Sequence, residues 1–254
     1  MSDTTEKNEK IEQKSHKRRR PGPPNRRLPS KRHRENKSKV DKLKRYPLDE
    51  AVNLLKSMKN AKMDETVNIV MKLGIDPRKS EQMVRGSVSL PKGIGKQLKV
   101  IAFAEGDLAE EAKKAGADLV GAGDLVDKIL NENWMDFDVA IAHPNMMRFV
   151  GKLGKVLGPK GKMPSPKSGT VTPDVVKAVT EFKAGKVEYR ADSNGNVHAP
   201  VGKKSFPPEN LITNIDTFIE HIKQVKPPTA KGTYIQKVVI SSTMGPGVPI
   251  ELKR

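Results

Sequence analysis

The sequence predicts two interleaved units, α/β in the middle of the chain and α+β at its two ends. Three observations predict this. Between about residues 98 and 184, apolar runs alternate with amphipathic helical stretches, the pattern of a parallel or mixed sheet wrapped by helices. On either side of that span, period-two strands and turn residues take over. Glycine marks both transitions, near Pro91–Lys96 and Lys183–Lys186. A smaller unit inserted into a larger split one, with hinges at the two transitions, accounts for all three.

Taken in order, residues 1–40 read as a basic, disordered extension. The stretch "KSHKRRRPGPPNRRLPSKRHRENKSK" has too little apolar surface to offset the entropy of ordering. It is either an arm on RNA phosphates or a solvated tail. Order is expected from near Pro47. In "PLDEAVNLLKSMKNA", Leu48, Ala51, Val52, Leu55 and Met58 share a helical stripe, and Asp49 and Glu50 suit the positive end. "ETVNIVMKL" puts Val67, Ile69, Met71 and Leu73 on one strand face, and "RGSVSLP" reads as a further short strand.

"QLKVIAFA" is the apolar run of a strand covered on both faces. The helical "DLAEEAKKAGA", a short "DLVG", the helical "DLVDKILN" and the apolar "FDVAIA" follow it. "NMMRFVGKLGKVL" reads as a helix, as does "PDVVKAVTEFKAG", with Pro173 at its start and Gly185 at its end. "KVEYRADSNGNVHAPVG" predicts a hairpin about Asn194-Gly195. "PENLITNIDTFIEHIKQV" carries Leu211, Ile215, Phe218, Ile219, Ile222 and Val225 at amphipathic spacing, and "TYIQKVVISST" is a last strand.

The chain has 254 residues and a net charge of +18, from 48 Lys and Arg against 30 Asp and Glu. Residues 1–46 hold 17 Lys and Arg and 6 Asp and Glu, so +7 remains for the rest, which is basic in its own right. That excess points to a polyanionic partner. The absence of cysteine excludes disulfides, thiol nucleophiles and cysteine-ligated zinc. No apolar run approaches the ~20 residues of a membrane span, and "MSDTTEKNEK" has no secretory pattern. A cytoplasmic protein with no membrane partner is expected.

The motifs of enzymes fail one by one. "LGKVLGPKGKMPSPKSGT", residues 153–170, has four glycines and no acidic residue, but a phosphate loop would need Gly at Val156 and Ser or Thr at Met163. Its composition argues against core and for a basic loop, with Lys155, Lys160, Lys162 and Lys167 as a possible second RNA contact. "GAGDLV" and "GIGKQL" lack the third glycine of a dinucleotide fingerprint, having Val126 and Leu98 there. The histidines at 16, 33, 143, 198 and 221 show no ligand spacing, and Glu110 and Glu111 suit a solvated helix face. No catalytic group, metal or cofactor is expected. Trp134 and Phe137 read as packing anchors, since aromatics at 4% argue against a stacking platform for single-stranded bases.

Two loops remain. "HAPVGKKSF" sets Lys203 and Lys204 beside Gly202 and Ser205, either phosphate and ribose contacts or an exposed strand end. "SSTMGPGVPI" sets Met244 between Thr243 and Gly245, either a satellite of the core or an apolar contact for a ribose or base edge.

These residues carry a resemblance. "DETVNIVMKLGIDPRKSEQMVRGSVSLPKG", "GADLVG", "MDFDVAIAHP", "LGKVLGPKGKMPSPKSGTV", "HAPVGKKSFPPENL" and "TMGPGV" are together similar to the bacterial first-numbered proteins of the large ribosomal subunit, the family of its mobile side stalk. The match runs from about residue 41 to 254; the basic arm before it is not part of the usual pattern. The resemblance implies a split α+β RNA-binding domain, 41–92 plus 186–254, and an inserted three-layer, Rossmann-like α/β domain, 93–185. It implies a constituent of the large subunit that binds stalk rRNA beside the tRNA exit site, assists release of deacylated tRNA and represses its own operon mRNA. No homo-oligomer is expected. RNA-binding residues carry over to Lys62, Thr66, Thr243, Met244 and Gly245, with Gly202, Lys203, Lys204 and Ser205 as neighbours. The family commonly has phenylalanine where this chain has Met63, and methionine fills that volume without stacking as a ring.

Overall fold

A computed structural model describes residues 29–252 except 42 and 133; the arm before residue 29 lies outside them. Where disorder is expected, Lys31–Ser38 form helix α1. Its sequence, KRHRENKS, has no apolar residue, so no periodicity announces it. Polar contacts hold it instead. Ser30 Oγ accepts from the His33 amide at 3.3 Å. The buried Asn36 amide donates to the Lys59 carbonyl and accepts from the Lys59 N–H, both at 2.9 Å.

Helix α2 (Leu48–Ser57) buries the expected stripe against a four-stranded antiparallel sheet. Strand β1 (Thr66–Leu73) lies inside that sheet, between β7 (Asn196–Lys203) and β8 (Ile235–Ser242), and β9 (Val248–Ile250) closes the far edge. Val67, Ile69, Met71 and Leu73 face inward as their alternation predicts. Helix α8 (Pro208–Gln224) contributes Leu211, Ile215, Phe218, Ile219 and Ile222 to the same core. Val225 does not join them: it is the residue at which the helix ends, and its side chain is exposed.

The turn at Asn194-Gly195 forms, with Asp192 Oδ1 accepting from the amides of Asn194 at 2.9 Å and Asn196 at 2.7 Å. Its arms pair beside the turn, through the antiparallel Ala191–Val197 bridge and the Asp192 N–H donated to the Asn196 carbonyl at 2.8 Å, and part beyond it. Strand β6 (Lys186–Arg190) pairs antiparallel with β2 (Arg85–Ser89), and β7 crosses to β1. The predicted hairpin is thus kept at its base only, and beyond it each arm pairs with a strand from far along the chain.

The middle of the chain forms a parallel sheet in the order β4 (Leu119–Gly121), β3 (Val100–Phe103), β5 (Val139–Ala142). All four residues of β3 are buried, and they alternate between two cores. Ile101 and Phe103 pack with α4 (Gly123–Glu132) and the helical turns after β5. Val100 and Ala102 pack with α3 (Asp107–Lys114) and α7 (Val175–Ala184). This is the physical reason for the unbroken apolar run. The expectation that residues 153–170 stay out of core is overturned. Helical turns α5 (Met147–Val150) and α6 (Gly154–Leu157) continue one helical path, and Met146, Val150, Leu153 and Leu157 are all buried on it. Their spacing of three and four residues is an amphipathic stripe that glycine content conceals.

The two crossings between the ends and the middle lie side by side. Gly185, the left-handed cap of α7 at φ 114°, approaches Gly93 so closely that a Cβ would sit 2.6 Å from the Gly93 Cα. The fully buried Asn214 ties them down, accepting from Lys92 N–H at 3.1 Å and donating to the carbonyls of Gly93 at 3.0 Å and Val201 at 2.8 Å.

Candidate nucleic-acid interface

The residues singled out at 62–66, 202–205 and 243–245 come from three distant stretches, and the sheet brings them together. In the β1–β7 pairing Val67 faces Gly202 but Asn68 faces Pro200, so the register shifts by one residue. Such a bulge re-aims the strand end. Here it sets Lys203 opposite Thr66. Gly202 has φ 155°, and a Cβ there would lie 2.9 Å from the Leu211 Cδ2 and 3.1 Å from Phe206, so the sharp exit from the strand requires glycine.

Across the other edge of β1, Thr66 and Thr243 exchange hydrogen bonds. The Thr66 N–H donates to Thr243 Oγ1 at 3.0 Å, and the Thr243 N–H donates to the Thr66 carbonyl at 3.0 Å. Lys203 Nζ reaches Thr66 Oγ1 at 3.0 Å. Ser205 Oγ donates to Asp64 Oδ2 at 2.8 Å, and its N–H to Oδ1 at 3.3 Å. The Thr243 hydroxyl also donates to the Thr66 carbonyl at 3.3 Å, so Thr243 stands exposed and Thr66 half-buried, each hydroxyl fixed by a hydrogen bond.

Glu65 organises the cluster from below, and the sequence offered no sign of it. Its carboxylate is buried and accepts from the Ala61 N–H at 2.6 Å and the Met244 N–H at 3.3 Å. Burial opposes its ionisation, but bonds from the Ser242 hydroxyl and these two amides, with the nearby Lys204 charge, hold the carboxyl below its ordinary value. An acid at the mouth of a strand reads as solvated; only the converging loops make it a buried tie. Gly245 belongs to the same arrangement, since a Cβ there would lie 2.3 Å from Ser242 Oγ.

Lys204 turns the opposite way from the sequence expectation. It is only 4% exposed, and its ammonium donates to the Met58 carbonyl at 2.7 Å and to Asn60 Oδ1. Burial pushes its pKa down, against the pull of Glu65. It is a buried support and cannot reach a phosphate. What faces outward is Lys62, exposed and without a polar partner among the described residues, together with Met63 at 58% and Met244 at 50% exposure. Two methionines this exposed on a fold with well-filled cores are a surface, not a satellite of the core. The α1 residue His33 adjoins them, with Nδ1 3.4 Å from the Met244 carbonyl.

The second group of lysines divides. Lys162 is not free: its ammonium donates to the carbonyls of Met135 at 3.1 Å and of Phe137, and lies 5.0 Å from the centre of the Phe137 ring. It clips the loop to the packed Trp134–Phe137 pair, whose rings lie 5.5 Å apart. Lys155, Lys160 and Lys167 are exposed. Among the described residues no helix is long and apolar enough to cross a membrane.

The family model described as the ribosomal protein L1p/L10e family matches residues 55–246, a span that holds all three stretches. The large ribosomal subunit protein uL1 of Fervidobacterium nodosum is 56% identical over 88% of this chain and 95% of its own length. Those of Thermosipho melanesiensis and Thermosipho africanus are each 55% identical over 87% of this chain, and over 95% and 96% of their own. With most of its length matched in this way, the chain belongs to the ribosomal protein L1p/L10e family.

Proposed function

We propose that this chain is a structural constituent of the large ribosomal subunit that binds the stalk region of large-subunit rRNA through Lys62, Met63, Thr66, Thr243, Met244 and Gly245. One observation carries the reading: a Thr66–Thr243 floor closed by reciprocal hydrogen bonds displays two exposed methionines beside an unpaired lysine. Hydroxyls, approachable backbone and exposed apolar side chains suit ribose and base edges, and Lys62 suits phosphate. Lys203 and Ser205 flank this floor and hold it in place. The names of the similar bacterial proteins support membership in the large subunit.

Under this reading 41–92 and 186–254 form the RNA-binding domain and 93–185 an inserted domain. The separate cores favour that division, since one collects side chains from 40–94 and 187–250 and the others draw on 98–182. On the ribosome, in the cytoplasm, the protein would stand beside the tRNA exit site and assist release of deacylated tRNA. A messenger that folds like the stalk RNA would compete for the same floor, which is the physical basis for repression of its own operon. The chain is a ribosomal protein and not an enzyme.

The deciding experiment is hydroxyl-radical footprinting of the protein on purified large-subunit rRNA. Protection confined to the stalk helices is expected, and protection lost with Met244→Ala places that residue at the contact. Uniform weak protection along the whole RNA would defeat the reading.

A further inference from the structure

We infer that the outer face of the helical path 147–155 is a second, separate RNA-contact surface, centred on Phe149. This rests on the reading of the chain as an RNA-binding protein, and adds Arg148, Phe149 and Lys152 to the exposed Lys155 already named. Of the ten aromatic side chains, Phe149 alone is exposed, at 41%. Its helix does not lack a core contact: Met146, Val150, Leu153 and Leu157 fill the inner face. An apolar ring left outside such a stripe is surplus to packing.

Charge identifies the partner. No acidic residue occurs from 139 to 173. Arg148, Lys152 and Lys155 stand on the same outer face, are exposed, and have no ion pair or side-chain hydrogen bond among the described residues. Elsewhere the acidic and basic side chains meet, as in Lys96–Asp138, Lys99–Asp136 and Lys183–Asp118. The cations around Phe149 are left for an external polyanion. A ring amid unpaired cations is the combination that stacks on a base while neutralising neighbouring phosphates.

The glycines agree. Gly151 and Gly154 lie within the helical path at φ −55° and −53°, and a Cβ at either would meet nothing within 4 Å. The fold would accept alanine there, which is the better helix former. Glycine instead leaves bare backbone between Arg148, Phe149, Lys152 and Lys155, where a sugar–phosphate chain can approach. The partner is therefore a folded RNA presenting a base face next to its backbone.

The test uses the full chain and two probes: unfractionated deacylated tRNA as a folded RNA, and the stalk rRNA fragment. Phe149→Ala should weaken tRNA binding about tenfold with an unchanged salt slope, whereas Phe149→Trp restores it. The double variant Arg148→Gln, Lys152→Gln should lower the salt slope by about two. Gly151→Ala should raise the Tm yet weaken tRNA binding. All four variants should leave stalk rRNA affinity within about twofold. Unchanged tRNA affinity in folded Phe149→Ala overturns the inference, as does an equal loss for both probes. Failure of the stalk reading looks different: Met244→Ala would then leave rRNA binding intact, whatever Phe149→Ala does to tRNA.

Discussion

Thr66 and Thr243, 177 residues apart, close a reciprocal pair of hydrogen bonds in which each backbone N–H is donated to the other residue. The pair seals the rim between β1 and the loop after β8, and makes one rigid floor of two loops. Rigidity of this kind lowers the entropy lost on binding. It also makes each residue on the floor separately testable.

Met244→Ala should remove an apolar contact and nothing else. At 50% exposure the side chain contributes little to the core, so the Tm should hold nearly constant. Stalk rRNA affinity should fall by roughly 2 kcal/mol if Met244 is a central, desolvated contact, and the salt slope should stay as it was because no cation is lost. A lowered Tm with normal binding by the folded fraction would contradict this.

Lys62 and Lys204 should part company. Lys62→Ala removes an exposed unpaired cation, so the salt slope of RNA binding falls by about one with the melt unchanged. Lys204→Ala removes the donor to the Met58 carbonyl and Asn60, and should lower stability by about 1–3 kcal/mol through unsatisfied buried acceptors. Binding measured on its folded fraction should keep the wild-type slope.

Glu65 gives the protein a pH signature. Its folded pKa is depressed, so its stabilisation is present above the unfolded value and is lost as pH falls through the folded one. Glu65→Gln should therefore cost most near neutrality, about 1–3 kcal/mol for the buried bonds it weakens. The melting curves of the two proteins should converge as the solution is taken to acid. A gap that persists below the depressed pKa would assign the effect to shape.

Joining residue 92 to residue 186 through a short glycine linker should yield a folded protein that keeps most of its stalk rRNA affinity. The close approach of Gly93 and Gly185 makes the splice short, and none of the contacts proposed for stalk rRNA lies between 93 and 185. A loss above about tenfold, 1.4 kcal/mol, with intact circular dichroism would place the inserted residues in the primary site.

Periodicity by itself determined the elements with a local cause. The alternation of Val67, Ile69, Met71 and Leu73, the stripe of α2 and the unbroken run of β3 each report which faces are covered, and burial follows them. Motif spacing likewise removed the nucleotide and metal readings, and the quoted motifs led to the family. Tertiary structure decided the rest, for reasons no local window contains. Helix α1 has no apolar residue to announce it and exists through Asn36 and Lys59. The arms of the Asn194-Gly195 turn separate beyond the Ala191–Val197 bridge, where β2 and β1 take them as partners. Lys204 and Lys162 are written as exposed cations but fold inward, where backbone carbonyls happen to converge on them. Whether a charge is a hand or a hinge pin depends on which acceptors arrive beside it, and those acceptors come from stretches far along the chain.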